Sequence, residues 1–217
     1  IIYGDSAGDP AALSIGSNGT VLKSDGTDVS WGTVSAGATF KTFGTSSIMI
    51  GDDATGTINA ADNNTGLGID VFATLTSGDN NVAVGFSAGN DLTTGNRNTA
   101  IGANALDKAT TPNDNTAVGF AAMTATTTGH SNTAMGKRAL QTNTTGVQNT
   151  SLGASSMSAN TEGDDNVAIG NLALTANTTA NGNTAVGAYC MDANTTGNES
   201  AALGYNALGA HTTGGSN

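Results

Sequence analysis

The sequence predicts an all-β protein: a parallel β-solenoid, or β-roll, of 17-residue coils, standing side by side as a homotrimer, with a small N-terminal β-hairpin module. Three observations predict it. A glycine recurs at Gly68, Gly85, Gly102, Gly119, Gly136, Gly153, Gly170, Gly187 and Gly204, each 17 residues after the last. The residue before it is apolar every time: Leu67, Val84, Ile101, Val118, Met135, Leu152, Ile169, Val186 and Leu203. Four residues before it stands asparagine, from Asn64 to Asn183, broken only by Ser200. Strict self-similarity at a short period marks a stacked-repeat architecture. A degenerate copy, Ser47-Ile48-Met49-Ile50-Gly51, extends the register one step upstream.

Within a repeat, successive strand residues point to opposite faces. The large apolar column and the mostly Thr column two before it share one face, and an Ala column (Ala83, Ala100, Ala117, Ala134, Ala168, Ala185, Ala202) takes the other. The apolar column is expected to face the coil's own core, and the Ala side to meet a partner subunit. After the glycine comes a short segment, read as a second strand. Its fourth residue is Leu106, Met123, Leu140, Met157, Leu174, Met191 or Leu208, a second inward column. Turn triplets such as Thr127-Thr128-Gly129 and Thr144-Thr145-Gly146 then reverse the chain. Stacked at about 4.8 Å, nine coils give a rod of roughly 45 Å, and the Asn column becomes a ladder of side-chain amides. Helices are rejected, because the segments are short and interrupted by Gly, Thr and Asn.

The totals fit a rod better than a catalyst. Leu, Ile, Val and Phe number 36 of 217 residues, a level at which a charged chain would be disordered, but disorder needs no fixed register. The net charge of −11, with six basic residues, argues against nucleic acid as a partner. One cysteine, Cys190, excludes an intrachain disulfide framework. No apolar run approaches the ~20 residues of a membrane span, and no signal peptide is visible. The chain begins Ile1-Ile2-Tyr3 and stops at Asn217, the first position of another repeat, so it reads as a segment of a longer protein.

Residues 1–33 form the predicted hairpin module. Thr20–Lys23 and Thr27–Trp31 alternate in polarity around Asp25-Gly26, a turn signal. Residues 34–46, with Phe40 and Phe43, are the junction, and residues 47–217 the solenoid shaft. The pattern Leu13-x-Ile15-Gly16, Gly19-Thr20-Val21-Leu22-Lys23-Ser24-Asp25-Gly26 and Trp31 resembles a short module of bacteriophage tail-fibre and other virion appendage proteins. The resemblance implies a homotrimeric fibre with this module as a collar. Asn166-Val167-Ala168-Ile169-Gly170 and Asn115-Thr116-Ala117-Val118-Gly119 resemble the head repeats of trimeric autotransporter adhesins, whose period is somewhat shorter. That resemblance implies a left-handed parallel β-roll on an extracellular stalk or head.

Energetics point to association as well. A coil supplies about two large apolar side chains, each worth ~1.5–3 kcal/mol when buried. Ordering its residues costs ~1 kcal/mol or more for each of them. Packing three copies together makes up the shortfall.

Chemistry is not expected. His130 and His211 lie far apart with no ligand partner, and Cys190 takes a place filled elsewhere by Ala. The pairs Asp52-Asp53 and Asp164-Asp165 suit a hard cation but do not recur on the grid. No cofactor, metal or enzyme activity is therefore expected. The variable position after the glycine holds Phe86, Phe120 and Tyr205, with Tyr189 beside it; these four are a candidate surface-contact stripe for a sugar or protein, or fillers of grooves between subunits. The expected function is the shaft of a virion appendage, outside the cell. It holds a receptor-binding tip away from the particle and contacts other fibre or baseplate proteins and a host-surface glycan or protein. A bacterial surface adhesin and an ice-binding solenoid are the alternatives.

Overall fold

The computed structural model describes residues 61–215 and, before them, the backbone of six short strands. The chain divides into two compact units, residues 1–39 and 40–217. In the first, β1 (Ile2–Gly4) pairs antiparallel with β2 (Pro10–Ala12), and β3 (Thr20–Ser24) with β4 (Val29–Thr33). The turn residues Asp25 and Gly26, and the pair Asp52-Asp53, lie outside the described residues.

After β5 (Thr39–Lys41) and β6 (Ile48–Gly51), nine further strands follow at the predicted spacing. They are β7 (Thr65–Gly68), β8 (Val82–Val84), β9 (Thr99–Ile101), β10 (Thr116–Val118), β11 (Thr133–Met135), β12 (Thr150–Leu152), β13 (Val167–Ile169), β14 (Thr184–Val186) and β15 (Ala201–Leu203). From β6 to β15 each strand pairs in parallel with the next. The register is one repeat, so that Val84 lies over Ile101 and Ile101 over Val118. This is the predicted parallel β-solenoid, of about eight coils, and no helix occurs among the described residues.

Inside and outside are the reverse of the expectation. The Ala column is buried, and the large apolar column faces out. A 17-residue coil encloses a narrow lumen, and alanine is what fits at the strand's inward position. The core is completed by Leu106, Met123, Leu140, Met157, Leu174 and Met191, the predicted second inward column, and by Ala105, Ala122, Ala139, Ala173 and Cys190 beside it.

The segment after the glycine is a correction too. It is no strand. Its second and fourth residues adopt left-handed backbone, as Ala121 (φ 55°) and Met123 (φ 52°) do. Such angles are uncommon for side-chain-bearing residues. They are held here because each N–H bonds a neighbouring coil: Ala121 to the Ala103 carbonyl at 2.9 Å, Met123 to that of Ala139 at 3.0 Å. The bend turns the Leu/Met side chains inward.

Two repeats break that column in a compensating way. Phe72 and Gly89 occupy the Leu/Met place in consecutive coils, and a Cβ on Gly89 would sit 3.3 Å from the Phe72 ring. The buried ring fills the space that the glycine leaves. Gly89→Leu alone is expected to destabilise by about 2–3 kcal/mol through overpacking. Phe72→Leu combined with Gly89→Leu recovers most of that loss, and a double-mutant cycle in urea measures the coupling.

The predicted Asn ladder forms. The eight Asn side chains of this column, Asn64, Asn81, Asn98, Asn115, Asn132, Asn149, Asn166 and Asn183, are all buried. In Asn132, for example, the backbone N–H and Nδ2 donate to Asn115 Oδ1 at 2.9 and 3.2 Å, and Nδ2 also donates to the Gly146 carbonyl at 2.9 Å. A second ladder, in threonine, runs through the turn triplets. Thr93, Thr127, Thr144 and Thr161 each donate both N–H and hydroxyl to the carbonyl of the equivalent Thr one coil on.

Candidate functional surface

The outward face of the sheet carries the feature that a single chain leaves unsatisfied. The small Ala side chains take the interior, so strand alternation sends the apolar column and the Thr column out. The result is a file of Leu, Val, Ile and Met, one per coil, running the length of the described rod. Leu67 is 49% exposed and Met135 47%, with Val84, Val118, Leu152 and Val186 half-buried between larger neighbours. Beside it run Thr65, Thr99, Thr116, Thr133, Thr150 and Thr184, with Val82, Val167 and Ala201 as substitutes. Neither column contains a charged residue, although the chain carries −11 overall.

The four candidate contact residues are all exposed, and they fall into two groups. Phe86 and Phe120 share the variable column, two coils apart, at 52% and 50% exposure, with Ala103 between them. Tyr205 lies in the same column near the other end of the described rod, 77% exposed. Tyr189 is in the adjacent column of the preceding coil. Its ring meets that of Tyr205 edge to face, with centroids 5.8 Å apart. The two tyrosines are thus brought together, and the two phenylalanines stand apart from them.

Two clusters of charge on the rod are paired across coils. Arg97 donates from Nε and Nη2 to the two carboxylate oxygens of Asp114, one coil on, at 2.6 and 2.9 Å. The Arg97 hydrogen bond holds the Asp114 carboxyl below its ordinary range, and Asp114 in turn raises the Arg97 guanidinium. Lys108 reaches Asp91 at 3.2 Å and Asp107 at 3.4 Å, and is raised chiefly by the Asp91 bond. The Arg97–Asp114 and Lys108–Asp91 pairs are solvent-exposed, where ion pairs contribute little, and Asp107 alone of these groups is largely buried.

The remaining titratable residues do not gather. Asp164 uses Oδ1 to accept the Val147 N–H at 2.7 Å. His130 contacts Ser131 Oγ, and His211 Nε2 lies 2.9 Å from the Gly214 carbonyl oxygen. Cys190 is buried, its thiol pushed up by burial and donating to the Ala202 carbonyl at 3.4 Å. Among the described residues no three His, Cys, Asp or Glu side chains come together, and no helix is long and apolar enough to cross a membrane.

Sequence reasoning missed the outward file because it placed large apolar residues inside by size. The signal was present in the neighbouring column. Seven alanines and one serine among nine repeats is a narrower choice than burial against a partner requires, and it indicates a tight steric limit. Comparison with protein-family models, with curated proteins and with solved structures finds no match for this chain.

Proposed function

We propose that residues 47–217 form the shaft of a homotrimeric fibre. The fibre belongs to a virion appendage of the phage tail-fibre kind, holds a receptor-binding tip away from the particle and contributes to host attachment. The observation that carries the reading is the uncharged apolar file on the outer face of the sheet. Exposed apolar surface of this continuity belongs to an interface. Its features repeat once per coil, and another copy of this chain has a matching pitch. Copies of a chain with net charge −11 repel, and a charge-free face lets them approach. The contact between copies is therefore assigned to the apolar and Thr columns, not to the Ala column. The number three, and the virion, rest on the resemblances of the repeat and of the Leu13–Trp31 module.

Sedimentation equilibrium of the purified chain is expected to give three times 21.1 kDa. Replacing both Ile101 and Met135 with Glu is expected to release folded monomers, while Thr128→Glu, on the exposed turn, leaves the trimer intact. A wild-type chain that is folded and monomeric overturns the trimer. For the virion, antibodies against residues 47–217 are expected to decorate fibres of the source particle in electron micrographs; decoration of a bacterial envelope instead favours the surface-adhesin alternative.

A further inference from the structure

The ladders that join the coils do not run evenly along the rod. Single bonds are missing at other coils, but lapses in several ladders coincide around one coil, residues 113–129.

On the side of the preceding coil the turn is poorly clamped. At the equivalent turn one coil later, Thr127, Thr128 and Gly129 all donate N–H to the Thr144 carbonyl, at 3.0, 3.2 and 3.1 Å. Here the Thr110 N–H, at 3.4 Å, and its hydroxyl, at 3.3 Å, are what reach the Thr127 carbonyl, and Pro112 has no N–H to give; the turn at Thr178 also gives one N–H, but at 3.1 Å. The buried amide ladder thins at the same level. Asn132 donates Nδ2 to the Asn side chain of the coil before it, as Asn98, Asn149, Asn166 and Asn183 do. Asn115, like Asn81, instead donates its Nδ2 to a turn carbonyl, that of Gly129, and holds the coil before it by its backbone N–H to Asn98 Oδ1 at 3.1 Å.

On the side of the following coil the core changes chemistry. One inward column reads Leu75, Leu92 and Ala109 before the joint and Asn143, Asn160, Asn177 and Asn194 after it. Each later Asn donates to its predecessor, at 2.8, 2.7 and 3.5 Å. Thr126 stands at the change, and its hydroxyl is the one buried side-chain polar atom without a partner among the described residues. A third ladder fails there too. Backbone N–H groups of Asp79 and Asn96 donate to the Oδ1 atom one coil on, at 2.7 and 2.8 Å, and Val147 resumes the series at 2.7 Å. Between them the Asn113 amide meets His130 and the His130 amide meets Val147, and neither side chain has an amide or carboxylate oxygen to offer. The exposed Arg97–Asp114 pair bridges the first of these two junctions and offsets the lapse only in part.

We propose that residues 113–129 are a compliant joint, at which the solenoid opens before the stacks of coils on either side of it. Its use, a bending point that lets the distal end swing, rests on the shaft reading. Its existence does not, and the test addresses existence alone.

In an even stack the end coils fray and the central coils are best protected. The joint reverses that order. Hydrogen exchange of the full chain, read by mass spectrometry, is expected to show amides of residues 113–129 exchanging about tenfold or more faster than those of residues 79–95 and 147–163. Thr126→Asn with His130→Asn extends two ladders through the joint and is expected to slow exchange there about tenfold. Pro112→Gly, which restores a donor and leaves the carbonyl that Asn98 Nδ2 bonds, is expected to slow it independently. A middle coil as protected as its flanks overturns the proposal. So do repaired chains that fold, by circular dichroism, yet leave the local exchange rate unchanged.

Discussion

Gly119→Ala is expected to cost the solenoid about 4 kcal/mol or more, enough to threaten folding of the chain. Two terms add. Gly119 has φ +134°, a backbone conformation that side-chain-bearing residues rarely adopt, and forcing it costs about 1–3 kcal/mol. The new Cβ would also lie 2.5 Å from the Gly136 carbonyl oxygen and 2.7 Å from its carbon, in the coil above. Both are backbone atoms within a hydrogen-bonded ladder. No side chain can rotate to relieve the contact, so the coils must separate or the strand must shift. Gly204→Ala isolates the first term. Gly204 has φ +125°, and its Cβ would meet only the Ala207 side chain, at 4.0 Å. That variant is expected to lose about 1–3 kcal/mol. Urea midpoints followed by far-ultraviolet circular dichroism give both values. Equal losses for the two variants would show that close approach between coils is not what selects glycine at this place.

The same column explains why so much of the fold was legible. A residue required by two independent constraints recurs without exception, so the period, the parallel register and the Asn ladder could all be read from Gly68 to Gly204. What could not be read follows from rules that assume ordinary geometry. Burial by size put Val118 inside and Ala117 outside, and the 17-residue coil reverses them because its lumen is narrow. Strand alternation was carried past the glycine into Phe120–Met123. Left-handed backbone at Ala121 and Met123 is invisible in residue types that normally avoid it. The contact residues were legible as exposed, since the column varies, but the edge-to-face meeting of Tyr189 and Tyr205 depends on a bend that the sequence does not announce. The inward switch from Leu92 to Asn143 was hidden in turns that looked like surface, where Asn and Thr have a local explanation.

Asn132→Ala is expected to destabilise by about 2–4 kcal/mol, chiefly because of what the deletion leaves behind. Asn132 Oδ1 accepts the Asn149 N–H at 2.9 Å and Asn149 Nδ2 at 3.1 Å, and its own Nδ2 reaches the Gly146 carbonyl at 2.9 Å. All of this is buried. Removing the amide strands the Asn149 N–H where water does not reach, at about 1–3 kcal/mol. It also takes one of two acceptors from Asn149 Nδ2, which keeps the Gly163 carbonyl, while the Gly146 carbonyl keeps Asn143 Nδ2 as a donor. Asn132→Asp separates hydrogen bonding from shape. A carboxylate keeps the acceptor toward Asn149 but turns a second oxygen toward the Gly146 carbonyl and Asn115 Oδ1, both acceptors. Only the protonated acid can donate there, so burial and these neighbours raise the carboxyl above its unfolded value. Stability of the Asp variant is then fully present below the unfolded pKa and is lost as pH rises through the folded one, opposite in sign to the usual salt-bridged carboxylate. Wild-type Asn132 has no such dependence. A urea titration of both proteins at acid and neutral pH decides the matter: an Asp variant that gains stability on going from acid to neutral would mean that the column is open to water, and that the ladder orders the coils without holding them together.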